Sequence, residues 1–272
     1  MTTITNRFNT LLLLLIALMA AGIITMLATR AYGGPLDPPG APASTDGVSG
    51  PGTPISSLPF VINAPGYYYV TRPLTGAVGG NGITINLSDV TVDLGGFTLT
   101  GGSGAGSAIL VQGVLRNVTI RNGALRGWGR GVDAQIATDS RIDNVQASSN
   151  DAGFWIGAHS EISDCNASLN RDTGIIIASG VVRNCTISEN DRRGIIASDS
   201  LIEGNKVQNN FMVGIELSGS RSTLRNNELS LNTVRDIVID VGGSSNAIIG
   251  NVNCSFTDNG TGTQFAANIN RC

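Results

Sequence analysis

From about residue 115 onward, apolar residues recur in short alternating bursts rather than in helical stripes. Four bursts open on glycine: Gly153 with Phe154, Trp155 and Ile156; Gly174 with three isoleucines; Gly194 with Ile195 and Ile196; and Gly214 with Ile215 and Leu217. Gly131 precedes them and Asp236 follows, so starts at 131, 153, 174, 194, 214 and 236 are separated by 22, 21, 20, 20 and 22 residues. Asn150, Asn170, Asn190, Asn210 and Asn232 keep step, each a few residues before a start. Between these two series lies a third, in which Ile142, Val145 and Ala147 are echoed by Ile162, Cys165 and Ala167, then by Val182, Cys185 and Ile187. Ile202, Asn205 and Val207 continue it, as do Leu224, Asn227 and Leu229. Leu115, Val118 and Ile120 fit the same spacing upstream, and Val90 to Leu99 fits it more loosely.

Alternation with period two places one face of each burst inward and the other outward. One such unit cannot bury its inward face alone, but copies stacked about 4.8 Å apart as parallel strands form a continuous apolar column. The expected fold is therefore all-β, a parallel β-helix solenoid with coils of about 20–26 residues. The bursts leave no room for crossover helices, which excludes a doubly wound α/β fold. The period is too short for a propeller and lacks leucine-rich repeat spacing.

Stacking gives each column a meaning. Asn205, Asn227 and Asn251 share one column and are expected to form an asparagine ladder that pairs turn amides between coils. Cys165 and Cys185 share it too, about 4.8 Å apart at Cα, within reach of a disulfide. Their parallel side chains suit two stacked thiols better. Cys254 and Cys272 are the stronger disulfide candidates, closing a loop at the end of the chain.

Composition agrees with this picture. The 36 glycines and abundant asparagine suit many tight turns. A net charge of -3 and the lack of a basic stripe argue against a nucleic-acid partner. His159 is the only histidine and no pair of cysteines has metal-ligand spacing, so no metal site is expected. Residues 1–31 hold Arg7, an apolar run from Thr10 to Leu27 and small residues around Ala31, as a cleaved signal peptide or a membrane anchor does. Residues 32–56 are expected to be a Gly- and Pro-rich linker, 57–254 the β-helix and 255–272 a tail or cap. The chain is thus expected to be secreted, periplasmic or at the cell surface, touching membrane only through its first segment.

The Gly-Ile starts, the Ile-x-x-Asn-x-Val cores and the asparagine that closes each coil resemble the right-handed parallel β-helix family that includes pectate lyases. The opening, from Pro65 to Val70 with Gly82 to Ile85 and Val90 to Leu99, is similar to bacterial members. The resemblance implies right-handed winding and a polysaccharide or cell-surface partner. A lyase-like activity would imply calcium; otherwise no cofactor is implied. Gly-His-Gly, an Asp-Asp pair and Asp-Pro-His-Asp, which relatives use in catalysis, are all missing from this sequence.

With the residue after each glycine pointing inward, the outward column of the first strand runs Leu110, Asp133, Trp155, Ile176, Ile196, Glu216 and Val238. Trp155, Ile176 and Ile196, with the acids Asp133 and Glu216, are candidates for a ligand-binding face. Alternatively, Phe256, Phe265 and Ile269 or the loop around Trp128 covers the stripe. A one-residue slip in phase would exchange the two faces. Arg171, Arg192 and Arg193 in the neighbouring turns are candidate ligand contacts, or part of a solvated ion-pair rim. Three functional classes remain open: a non-catalytic binding protein, a polysaccharide lyase, hydrolase or epimerase, and a structural surface element.

Overall fold

In the computed structural model, residues 52–253 and 255–270 are described. Their strands wind into a parallel β-solenoid with three sides to each coil. One side is a ten-stranded sheet running from Phe60–Ile62 to Phe256–Asp258. Most coils also contribute two strands to a second sheet, for example Val181–Arg183 and Thr186–Ser188, while Val118–Arg126 and Arg141–Ser148 each run on as one. The segment from Ile175 to Ser188 thus supplies all three sides, and the next coil begins at Arg193–Ser198.

The corners explain the polar residues of the repeat. At each one a residue takes left-handed backbone geometry, as Ser179, Asn184 and Glu189 do with φ of 54°, 54° and 57°. Asparagine, aspartate and glycine tolerate that geometry best. The residue that follows turns inward, where its amide has no strand partner. Asn227 Oδ1 accepts the amide of Asn205 at 3.0 Å and its side-chain NH2 at 3.0 Å, while Asn205 Nδ2 donates to the carbonyl of Val182 at 3.0 Å. The ladder continues through Asn251 to Asn268. A second ladder runs from Trp128 N through Asn150, Asn170, Asn190 and Asn210 to Asn232. Serines serve the remaining corner, where Ser140 N donates to Ser160 Oγ and Ser200 N to Ser222 Oγ.

Cys165 and Cys185 occupy rungs of the first ladder as free, buried thiols. Cys185 Sγ accepts the amide of Cys165 at 3.4 Å, as an asparagine oxygen would, and faces as donor the carbonyls of Arg183 at 3.2 Å and of Ile162, one coil back, at 3.7 Å. The shared hydrogen bond with Cys185, and then burial, push the Cys165 thiol far above its ordinary value. Cys254 and Cys272, with residues 1–31 and all but the end of the expected linker, lie outside the described residues.

The opening glycines follow from the asparagines. A Cβ on Gly194 would lie 2.5 Å from the carbonyl oxygen of Gly214 and 3.0 Å from Asn210 Nδ2. Gly174 is as tight, at 2.8 Å and 2.9 Å from the matching atoms one coil earlier. Asp236 breaks the glycine series where the ladder ends: its carboxylate accepts from Asn232 Nδ2 at 2.8 Å and from the amide of Ser255.

Inside, Phe154, Ile175, Ile195, Ile215 and Ile237 stack in register, none more than 1% exposed. Trp128 is buried as well, its Nε1 donating to the carbonyl of Leu99 at 2.9 Å. Its indole fills the space where Gly76, Gly82 and Gly101 lack a Cβ.

Three expectations need correction. Leu115, Val118 and Ile120 do not share the columns of Ile142, Val145 and Ala147; the partners are Ile120, Gly123 and Leu125. The spacing matched by coincidence, because the offset of 27 residues exceeds the 22-residue step between partners. Gly123 holds the ladder position because a Cβ there would meet Leu94 at 2.4 Å. The solenoid also reaches into both flanking stretches. Thr53–Ile55 pairs with Gly66–Val70 inside the expected linker, and Gln264–Ala266 pairs with Ala247–Ile249 inside the expected tail. Finally, the tail and Trp128 cover no outer stripe. Phe256 stacks over Ile237 and Phe265 over Ile248, while Trp128 points into the core.

Replacing Asn227 by leucine removes both acceptor and donor from the ladder, and is expected to lower stability by about 1–3 kcal/mol in chemical denaturation. Gly194→Ala, with backbone against its new methyl, is expected to cost a similar ~1–3 kcal/mol; an unchanged midpoint would place Gly194 elsewhere. The native thiols of Cys165 and Cys185 are expected to resist a maleimide until the chain is denatured. Because the folded Cys165 thiol titrates above its ordinary value of 9.0, the stability that this neutral group contributes is complete below that pH. It is lost as pH rises further, so the denaturation midpoint is expected to fall in alkali.

Candidate functional site

The parallel register joins Leu110, Asp133, Trp155, Ile176, Ile196, Glu216 and Val238 in one unbroken outward column of the ten-stranded sheet. Burial agrees with that phase: Phe154 and Ile156 are inside, and Trp155 between them is half-exposed. Ile176 and Ile196 are half-exposed too. No aromatic residue of the tail reaches them, so a strip of apolar surface three coils tall faces outward.

The acids at the ends of the strip are not free. Asp133 is 6% exposed and is paired with Arg130, whose guanidinium lies 4.6 Å above the centroid of the Trp155 ring. That cation–π contact holds the indole and covers part of one of its faces. Glu216 is 9% exposed and pairs with Arg193 Nε at 2.5 Å. The other two candidate arginines are far more exposed and also find acids one coil away. Arg171 lies 3.3 Å from Asp151, and Arg192 lies 3.7 Å from Asp172. Ion pairs this open to water contribute little stability.

Beside Trp155 the turns leave a shallow groove of about 420 Å³, lined by Arg130, Asp151, Ala152, Trp155, Asp172 and Ile176. It combines apolar floor, one aromatic edge and two carboxylates at the lip. Sequence reasoning named every member of this strip but missed the stacking of Arg130 on Trp155, because it depends on which rung the arginine's long side chain leans toward.

A larger groove of about 600 Å³ lies on another side, over Val181 and Leu201, with His159, Glu161, Asp199 and Arg221 around it. Its charges are consumed in pairs: Arg183 holds Glu161 at 2.5 Å, and Arg221 holds Asp199 at 3.1 Å. The Arg221 guanidinium keeps the Asp199 carboxyl below its ordinary value, and Arg225 does the same for Glu203. No Phe, Tyr or Trp side chain lines it, so the Trp155 groove is the better candidate. Among the described residues, no group of three or more His, Cys, Asp or Glu side chains is placed to hold a metal ion.

Solved structures similar to this one share its winding. The A-module of a mannuronan C-5 epimerase from Azotobacter vinelandii aligns with a TM-score of 0.54 and 14% identity, over 76% of this chain and 81% of that one. The enzymatically active domain of tailspike protein 2 from bacteriophage CBA120 aligns at 0.50 and 15%, over 80% of this chain but only 42% of that one. A periplasmic alginate epimerase variant aligns at 0.50 and 11%, over 76% and 75%. At such identities the likeness is one of fold. No curated protein matches the chain by sequence. Residues 77–200 and 105–270 match the family described as the right handed beta helix region, and the chain belongs to that family.

Proposed function

We propose that this chain is an exported right-handed β-helix protein that binds polysaccharide, or a surface partner displaying it, along the outer strip of Trp155, Ile176 and Ile196. The observation that carries this reading is an apolar strip that no other described residue covers, with an aromatic edge, opening into a groove with carboxylates at its lip. Sugar rings present C–H faces to aromatic and aliphatic surface and hydroxyls to acidic acceptors, so such a strip suits them. The mannuronan and alginate epimerases with this fold support the same ligand class. Export rests on the apolar character of residues 10–27 behind Arg7.

A second reading is catalytic. Asp151 and Asp172 both border the groove, and paired carboxylates beside a sugar are the usual equipment of glycoside chemistry. Against it stands the ion pairing of both acids with Arg171 and Arg192.

A glycan panel separates the readings. Binding without turnover is expected, and Trp155→Ala is expected to weaken it about tenfold, read by titration calorimetry. Release of sugar products, or binding that ignores Trp155→Ala, would overturn the proposal.

A further inference from the structure

We infer that the ligand of the Trp155 strip is a neutral glycan rather than a polymer of uronic acids. This rests on the binding reading above and specifies its substrate class. Four arginines flank the strip, and each is already committed to a carboxylate. Arg130 pairs with Asp133, Arg193 with Glu216, Arg171 with Asp151 and Arg192 with Asp172. Arg130 and Arg193 keep N–H donors to spare, but the charge of each is already met by a buried acid of this chain, so a uronate bound there adds a second carboxylate with no further positive charge to balance it. At the exposed pairs displacement is easier, but there the arginines sit among Asp151, Asp172 and Asp191, so the lip as a whole offers no excess of positive charge. Arg235, beyond the Glu216 rung, is turned to Thr257 and to the carbonyl of Val234.

The remaining features favour an uncharged polyol. Trp155 and Ile176 supply the apolar floor, and Arg130 lies over the indole with its charge met by Asp133. Asp151 and Asp172 at the lip are acceptors that hydroxyl donors can satisfy and carboxylates cannot. A divalent cation bridging a uronate to these acids is the one route around the argument. No cluster of three ligating side chains exists for it among the described residues.

The full chain, wild type and Trp155→Ala, is titrated with neutral gluco- and manno-oligosaccharides and with oligogalacturonate and oligomannuronate. Each is done at low and high salt, with and without calcium. Neutral oligomers are expected to bind with an affinity that salt leaves within about twofold, and uronates at least about tenfold more weakly. Asp133→Asn and Glu216→Gln, separately, release Arg130 and Arg193 and are expected to create salt-sensitive uronate binding. Asp151→Asn tests the same logic at an exposed pair whose change leaves the core untouched. Wild-type binding of a uronate as tight as that of any neutral oligomer, weakening with salt or requiring calcium, overturns the inference while leaving the strip as the site. Loss of nothing in Trp155→Ala, or no binding of either class, overturns the site itself and the inference with it.

Discussion

A backbone amide that turns inward at a solenoid corner has no strand partner, and burial denies it water. This chain meets that constraint with an acceptor lent by the next coil. Asn170 Oδ1 takes the amide of Asn150, Asn190 that of Asn170 and Asn210 that of Asn190, at 3.1, 3.1 and 3.2 Å. From Ser140 onward, most corners of a coil therefore depend on the coil stacked after it. A slip of one residue in any coil would orphan its corner amides and turn its inward isoleucines to solvent. Register, core and outer faces are set together by that one kind of bond.

The ladder reaches outward through its consequences for packing. Because Asn210 occupies the space beside Gly194, and the Gly214 carbonyl closes over it, no side chain fits at the start of the strand. The strand then leaves the corner with Ile195 inside and Ile196 outside. The outward column of the ten-stranded sheet inherits its straightness from this arrangement. Thiols can stand in for asparagine at two rungs since a ladder position needs one acceptor and one donor of modest size, and Cys165 and Cys185 offer both.

Legibility from sequence followed the same logic. Positions bound by repetition, such as the asparagines and the strip from Leu110 to Val238, were readable because neighbouring coils state the same requirement again. Where the coil step changes, repetition misleads, and the spacing of Leu115 to Ile120 points to the wrong columns. Trp128 looks like a loop residue in the sequence because its glycine neighbours suggest a turn. Its burial depends on Gly76, Gly82 and Gly101, which are 27 to 52 residues upstream and reveal no pairing in one dimension. The partner of each arginine was equally hidden, being a choice among rungs that only side-chain packing resolves.

Repetition also neutralises the surface. Arg121 over Asp93, Arg183 over Glu161 and Arg225 over Glu203 repeat on the second sheet the pairing seen beside the strip. A wall of matched charges carries little long-range field, so on the proposed binding reading recognition falls to the places where the repeat is broken. Two such breaks fall on neighbouring rungs. At Asp133 an acid replaces an apolar residue and draws Arg130 across the strand; at Trp155 an indole replaces an isoleucine and receives it. Neither change is needed by the core, since both side chains face outward from a strand whose inner residues, Val132 and Phe154, already pack in register. A pair of departures that the fold does not require, meeting at the mouth of a groove, is what a site on a repeating scaffold looks like.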